Sequence, residues 1–284
     1  RTSVIPSSEL TNSIMPDITL RFVHLSDTHI HAAPDYGADD EHADHPHTTQ
    51  QGARALVEAV NRLPFQPDFI LHTGDVAYDP DESAYIAARD ILGALKSPVY
   101  YVPGNHDDAA MLQRIVIGRE PLVPYDYEFE VNGVQIVVVD SNQPYRMDSP
   151  SSRLADAQIE RLHTLAAARD DRPLVVATHH NVLPIGIPWW DDYMRMQNGE
   201  EFHIALLPAQ QRLLGVLHGH VHMHTQIARD GIPYTSAMSS WFHLDCEPGQ
   251  TGTVFDRRAL PAFNVCTVVG RQMFVRQQTF TVAR

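Results

Sequence analysis

The chain sets Asp, His and Asn side chains where strands are expected to end. D-T-H (27–29), G-D (74–75), G-N-H-D (104–107), T-H-H (178–180) and G-H-V-H (219–222) each lie at the end of a short apolar run. Carboxylate and imidazole ligands together suit a divalent or trivalent first-row ion, and an Asp can bridge two of them. One such stretch alone is ordinary loop and capping chemistry. Five at successive strand ends point to a shared metal site. The last stretch carries His218, His220, His222 and His224 at alternate positions. On one continuous strand their rings would share a face at about 6.6 Å per step, a span too long for a two-ion site. Gly219 permits a tight turn there. His220 and His222 are therefore expected as ligands, with His218 left on the incoming strand and His224 on the outgoing one.

The frame that must hold these residues follows from apolar periodicity. TLRFVHL (19–25), DFILHT (68–73) and PVYYV (98–102) read as short buried strands. Between them, Ala53, Leu56, Val57 and Val60 fall at i, i+3, i+4 and i+7 of a helix capped at Thr48 or Thr49. Tyr85, Ala88, Leu92 and Leu95 continue a second helix, with Asp79 as its cap and Pro80 in its first turn. In such a βαβαβ alternation, ligands bind at the carboxyl ends of the strands. Asn132-Gly133 joins DYEFEV to VQIVVVD as a hairpin. A helix over about 154–168, strand PLVVAT (173–178), a long loop with Trp189 and Trp190, a helix near Glu200 and strand LLGVL (213–217) follow. Residues from about 223 onward read as strands and turns. With no repeat and no linker, the expectation is one α/β domain over 1–284, with 1–17 as an extended lead and 223–284 as C-terminal strands and pocket loops.

Composition removes several classes. Net charge is −14, and Lys96 is the only lysine beside 17 histidines, so no basic track for nucleic acid is expected. Lys96 does not sit in a P-loop, and neither G-x-S-x-G nor H-E-x-x-H occurs. No apolar run reaches the roughly 18 residues of a membrane span. Two cysteines are too few for a disulfide framework, which favours a reducing, cytoplasmic setting. The chain starts at Arg1 without a Met, so an upstream targeting segment stays open.

Together the five motifs, in this order from 27 to 222, resemble the calcineurin-like binuclear metallophosphoesterases, with their D-x-H, G-D, G-N-H-[DE], H and G-H-x-H. The stretch AYIAARDILGALKSPVYYVPGNHDD is similar to the cyclic-nucleotide and glycerophosphodiester phosphodiesterase branch. The resemblance implies an α/β fold of two mixed β-sheets packed face to face as a sandwich, with helices on the outer faces. It also implies two metal ions, of iron, manganese, zinc or cobalt. Asp27, His29 and His222 would hold the first, Asn105, His179 and His220 the second, and Asp75 would bridge them. His106 would face the phosphate and stabilise or protonate the leaving oxygen, with Asp107 holding its ring. The implied activity is hydrolysis of a small phosphodiester, a cyclic nucleotide or glycerophosphodiester, by in-line attack of a metal-bridging hydroxide. The alternative is a broad phosphomonoesterase on the same site; a DNA exonuclease and a non-catalytic scaffold rank lower.

G-D-V-A-Y also fits the G-D-x-x-Y of purple acid phosphatases, but those have Gly where His29 stands, so Tyr78 reads as a structural loop residue. The branch usually has H-H-P-P where this chain has His179-His180-Asn181-Val182. His180, Trp189, Trp190, Arg195, Trp241 and His243 are candidate substrate contacts, rings for a nucleobase and an arginine for a phosphate. Packing of the loops, or of a homodimer contact, is the alternative. The segment with His31, His42, His45 and His47 reads as a solvated loop, with capture of an extra ion or a place at the pocket border as the alternative, and His24, His72, His163 and His203 read as structural.

Overall fold

The computed structural model describes residues 20–37, 45, 47–142 and 150–283, so the lead 1–17 and His42 lie outside the described residues. In chain order the first half holds β1 (Leu20–Leu25), α1 (Thr49–Asn61), β2 (Phe69–His72), α2 (Glu82–Leu92), β3 (Val99–Tyr101), α3 (Ala109–Met111), β4 (Tyr127–Val131) and β5 (Val134–Val138). The second half holds α4 (Asp156–Ala167), β6 (Leu174–Ala177), α5 (Pro188–Tyr193), α6 (Gly199–Leu206), β7 (Leu213–His218), β8 (Gln226–Arg229), β9 (Ile232–Ser236), β10 (Ala262–Val269) and β11 (Gln272–Thr279).

Strand alternation explains how these elements stack. In β1, Leu20 and Phe22 point one way and Val23 and Leu25 the other, because successive side chains leave opposite faces. Phe22, with Phe69, Leu71, Cys266 and Val268 of its own sheet, meets Ile136, Val138, Val175, Ala177 and Leu217 of a second sheet. Val23 and Leu25 instead pack on Leu56 and Val60 of α1. Val137, Val176 and Val216 do the same on the far side, under Leu162 of α4 and Phe202 and Leu206 of α6. The sandwich of two mixed sheets with outer helices is the fold expected from the sequence.

The first sheet has the order β11-β10-β1-β2-β3 and the second β4-β5-β6-β7-β9-β8. β1, β2 and β3 are parallel, as are β5, β6, β7 and β9. Parallel register aligns the carboxyl ends of β1–β3 in one sheet and of β6 and β7 in the other. Two hairpins fall where Asn132-Gly133 and Asp230-Gly231 supply consecutive positive φ.

Two local expectations are corrected, and one element is new. Asp81, not Asp79, caps α2, accepting from Ala84 N at 2.9 Å; Pro80 precedes the helix, where its missing N–H costs nothing. The long loop around Trp189 and Trp190 contains α5, started by Pro188. α3 runs into a wide helical turn at Leu112–Ile117, an element without a clear apolar period to announce it. Among the described residues, no helix is long and apolar enough to cross a membrane.

Candidate metal centre

Five strand ends deliver the motif residues to one place, and the backbone there is unusual. Among the described residues seven non-glycines have positive φ; two are the hairpin residues Asn132 and Asp230, and the other five are Asp27, His29, Asp75, His220 and His222. Left-handed backbone costs L-residues energy and survives where the surroundings fix it. Here cross-loop bonds fix it: Asp27 N donates to Gly74 O and His29 N to Asp75 O, each at 2.9 Å. His220 N donates to the Asp27 carboxylate at 3.0 Å. The chain does turn tightly after Gly219, Val221 N donating to Gly219 O at 2.8 Å, but the glycine is not itself left-handed. A Cβ there would collide with Ser26 Oγ and lie 2.6 Å from Asp27 Oδ2, so the glycine serves close approach.

Two groups of side chains converge. Asp27, His29, Asp75 and His222 offer ligand atoms within 4.8 Å of one another, as do Asp75, His179 and His220; Asp75 belongs to both. His29 Nε2 lies 3.0 Å from His222 Nε2 and 3.6 Å from Asp75 Oδ2, and His179 Nε2 is 3.3 Å from the same carboxylate oxygen. Asn105 Oδ1 is 3.0 Å from His179 Nε2. Backbone carbonyls then select which ring nitrogen is free. His179 Nδ1 donates to Thr73 O, His222 Nδ1 to Phe242 O and His220 Nε2 to Met194 O. This leaves Nε2, Nε2 and Nδ1 respectively as lone-pair donors, the outer support metal-binding histidines use.

The electrostatics fit a cation. Burial alone would raise the Asp27 carboxyl, but His222 and His179 more than offset it and hold it below the usual range. Asp75 is lowered likewise against burial, by His179, His106 and His29. Burial pushes the His29 and His220 rings well down, so both stay neutral, as a metal ligand must be. His179 goes the other way despite burial, up to about 9, because the Asp75 and Asp27 charges favour a positive group beside them. Imidazoles, two carboxylates and an amide oxygen form a donor set for first-row divalent ions.

His106 stands next to this cluster, its ring centroid 4.8 Å from that of His29. Its Nδ1 donates to Tyr78 O at 2.7 Å, so the expected clamp by Asp107 is corrected. The buried Asp107 carboxylate instead accepts from Val76 N, Ala77 N, Gly104 N and the Tyr85 hydroxyl, tying the second motif loop to the third. Burial first, and the Asp75 charge second, raise it to about 6.

The open space above the cluster is a pocket of about 340 Å³. Trp189, Trp190 and Trp241 line it. So do His45, which takes the pocket-border alternative over the solvated loop, and Tyr78, whose ring lies 5.3 Å from His106. Three expected contacts are corrected. Arg195 spends its guanidinium on the carbonyls of Asp191 and Met196. His243 is buried with Nε2 on Ser239 O, outside the lining. His180 lies under the cluster, its Nδ1 on Ser141 Oγ and its ring 4.7 Å from His220. Sequence reasoning missed Tyr85, Leu244, Thr253 and Phe255. Only Tyr85 carried a signal, as a core position of α2.

Comparison with known proteins adds relatives. The family model described as calcineurin-like phosphoesterase matches residues 20–224, a span containing all five motifs. The chain is 29% identical over 252 residues to the 3′,5′-cyclic adenosine monophosphate phosphodiesterase CpdA of Pseudomonas aeruginosa, covering 89% of this chain and 87% of that one. It is 27% identical to the glycerophosphodiester phosphodiesterase GpdQ of Enterobacter lignolyticus, covering 79% and 81%. Among solved structures, a dimetal phosphatase from Danio rerio superposes with a TM-score of 0.65 at 15% identity, covering 94% of this chain and all of that one. At that identity the likeness speaks for the fold.

Proposed function

Because the chain belongs to the calcineurin-like phosphoesterase family, we propose that it is a binuclear-metal-dependent phosphodiesterase acting on a small diester, a cyclic nucleotide or glycerophosphodiester. The observation that carries this reading is the pair of ligand groups sharing Asp75, with His106 beside them on the pocket floor. The relatives named as cyclic-nucleotide and glycerophosphodiester phosphodiesterases support the diester class.

In this reading Asp27, His29 and His222 would hold one cation and Asn105, His179 and His220 a second, with Asp75 placed to serve both. When bound, two such cations supply a nucleophile at neutral pH, hold phosphate oxygens and screen the charge that repels an incoming anion. The residues set the geometry around them. The carbonyls of Thr73, Met194 and Phe242 hold three imidazoles in one tautomer, so the ligand lone pairs are aimed before substrate arrives. His106, with Nδ1–H fixed on Tyr78 O, presents Nε2 to the pocket. Protonated there, it donates to the departing alkoxide oxygen and makes it the better leaving group. The aromatic wall gives the organic part of the ester a water-poor surface.

The test is a rate comparison of manganese-, iron- and zinc-reconstituted protein. Its substrates are bis(p-nitrophenyl) phosphate, p-nitrophenyl phosphate, 2′,3′- and 3′,5′-cyclic nucleotides and glycerophosphodiesters. Higher kcat/KM on diesters is expected. A preference for the monoester would replace the reading by a phosphomonoesterase, and no turnover with both metals bound would favour a scaffold.

A further inference from the structure

The pocket has two unlike ends. One is the metal centre with His106; the other is apolar and comes from separate parts of the chain. Trp189, Trp190 and Met194 belong to α5 and its end, and Trp241, Phe242, Leu244 and Phe255 to residues 241–255. Residues 243–256 form a narrow flap, closed by Asp245 N on Val254 O, Asp256 N on His243 O and a bridge between Leu244 and Phe255. Most of these apolar side chains already have a packing role. Trp190 and Leu244 are buried in one cluster, and Trp189, Met194 and Phe242 pack against it. Phe255 is outside that cluster and remains 37% exposed. Its ring meets Phe242 and His45 edge to face, centroids 5.5 Å apart in each pair at 71° and 74°, and these two contacts leave the ring partly exposed.

An exposed aromatic ring on a pocket wall is a surface for stacking a flat group. Charge narrows the choice further. Among the described lining residues there is no lysine or arginine, and Asp75 at the metal end is the only carboxylate. A cationic ester group would find no carboxylate at the apolar end, where His45 is the one ionisable side chain of the described lining, and a glycerol would leave the rings wet.

We propose that Phe255 is a specificity-determining residue. With Phe242 and Trp189 it makes a slot that selects phosphodiesters whose ester group is flat and uncharged, a nucleobase being the biological instance. This rests on the phosphodiesterase reading above. Because Phe255 reaches the ligand rings only through Phe242, whose ring lies 4.2 Å from that of His222, its own contact with the ester group acts equally on ground and transition states and belongs in KM.

The test uses manganese-reconstituted protein with 3′,5′-cyclic AMP, glycerophosphoethanolamine and glycerophosphocholine. Phe255→Ala is expected to raise KM for cyclic AMP roughly tenfold, a typical loss for one stacking partner, with kcat changed less than twofold. The fall in kcat/KM on cyclic AMP should exceed that on glycerophosphoethanolamine by at least fivefold. Phe255→Tyr should restore the preference and Phe255→Leu, apolar but not flat, should not. Equal falls on both substrates would reduce Phe255 to a structural role in the flap. A fall on glycerophosphocholine as large as on cyclic AMP would make the rings a cation cage and overturn the proposal. Should no diester turn over, the phosphodiesterase reading fails and the slot is judged by binding alone. Calorimetry with a phosphorothioate analogue of cyclic AMP then keeps the slot if Phe255→Ala weakens binding tenfold, and rejects it if affinity is unchanged.

Discussion

His106 and Asp107 are adjacent in sequence and do opposite things, which a motif cannot reveal. The loop turns His106 to the pocket, where Nδ1 is held by Tyr78 O, and sends Asp107 inward to four donors. His106→Ala is expected to cut kcat by about 10² to 10⁴ while elemental analysis still finds both metals. Loss of metal instead would make it a ligand. Asp107→Asn sets an amide NH2 against some of those donors and should cost about 2–4 kcal/mol in urea unfolding, because a buried donor left unmatched keeps its desolvation penalty. Full stability with impaired proton donation would return Asp107 to the ring of His106. The candidate ligands were legible because five successive strand ends carry Asp, His or Asn in one order, although any one of them alone is ordinary loop chemistry. Arg195 was misread because nothing in a sequence says whether a loop arginine reaches a pocket or two neighbouring carbonyls.

Elements matter here through where they stop. β1, β2, β3, β6 and β7 were legible as apolar runs, and their ends carry the site. Helix starts were less so, since Asp79-Pro80-Asp81-Glu82 contains two candidate caps and propensity alone does not rank them. The bond from Ala84 N to Asp81 Oδ1 does. Asp81→Ala should cost about 1 kcal/mol by thermal or urea unfolding, the usual value of an N-cap. Asp79→Ala removes only an exposed contact with His31 at 3.6 Å and should cost no more than a few tenths. The reverse order would restore Asp79 as the cap. α5 was hidden because six residues are too few for an apolar period to declare itself, although Pro188 marked its first turn.

At the scale of the molecule, the sandwich buries polar groups at the end that holds the site. His24 shares Thr73 Oγ1 and Asn264, and His72 shares Thr28 Oγ1 and Gly74 N, all beneath the motif loops. Burial lowers both rings to about 3, and His243 to about 4, against an ordinary value of 6.5. The folded chain thus keeps them neutral where the unfolded chain binds protons. Stability from these rings is complete above pH 6.5 and is lost as pH falls toward 4, at about 1.4 kcal/mol per pH unit for each ring. His24→Gln can keep polar contacts with Thr73 and Asn264 but binds no proton in either state. In chelator-treated protein its urea midpoint should fall less steeply with acid than that of the wild type, by the equivalent of one proton between pH 6 and 4. Parallel slopes would mean that His24 already takes a proton in the folded state and that the network beneath the site is charged.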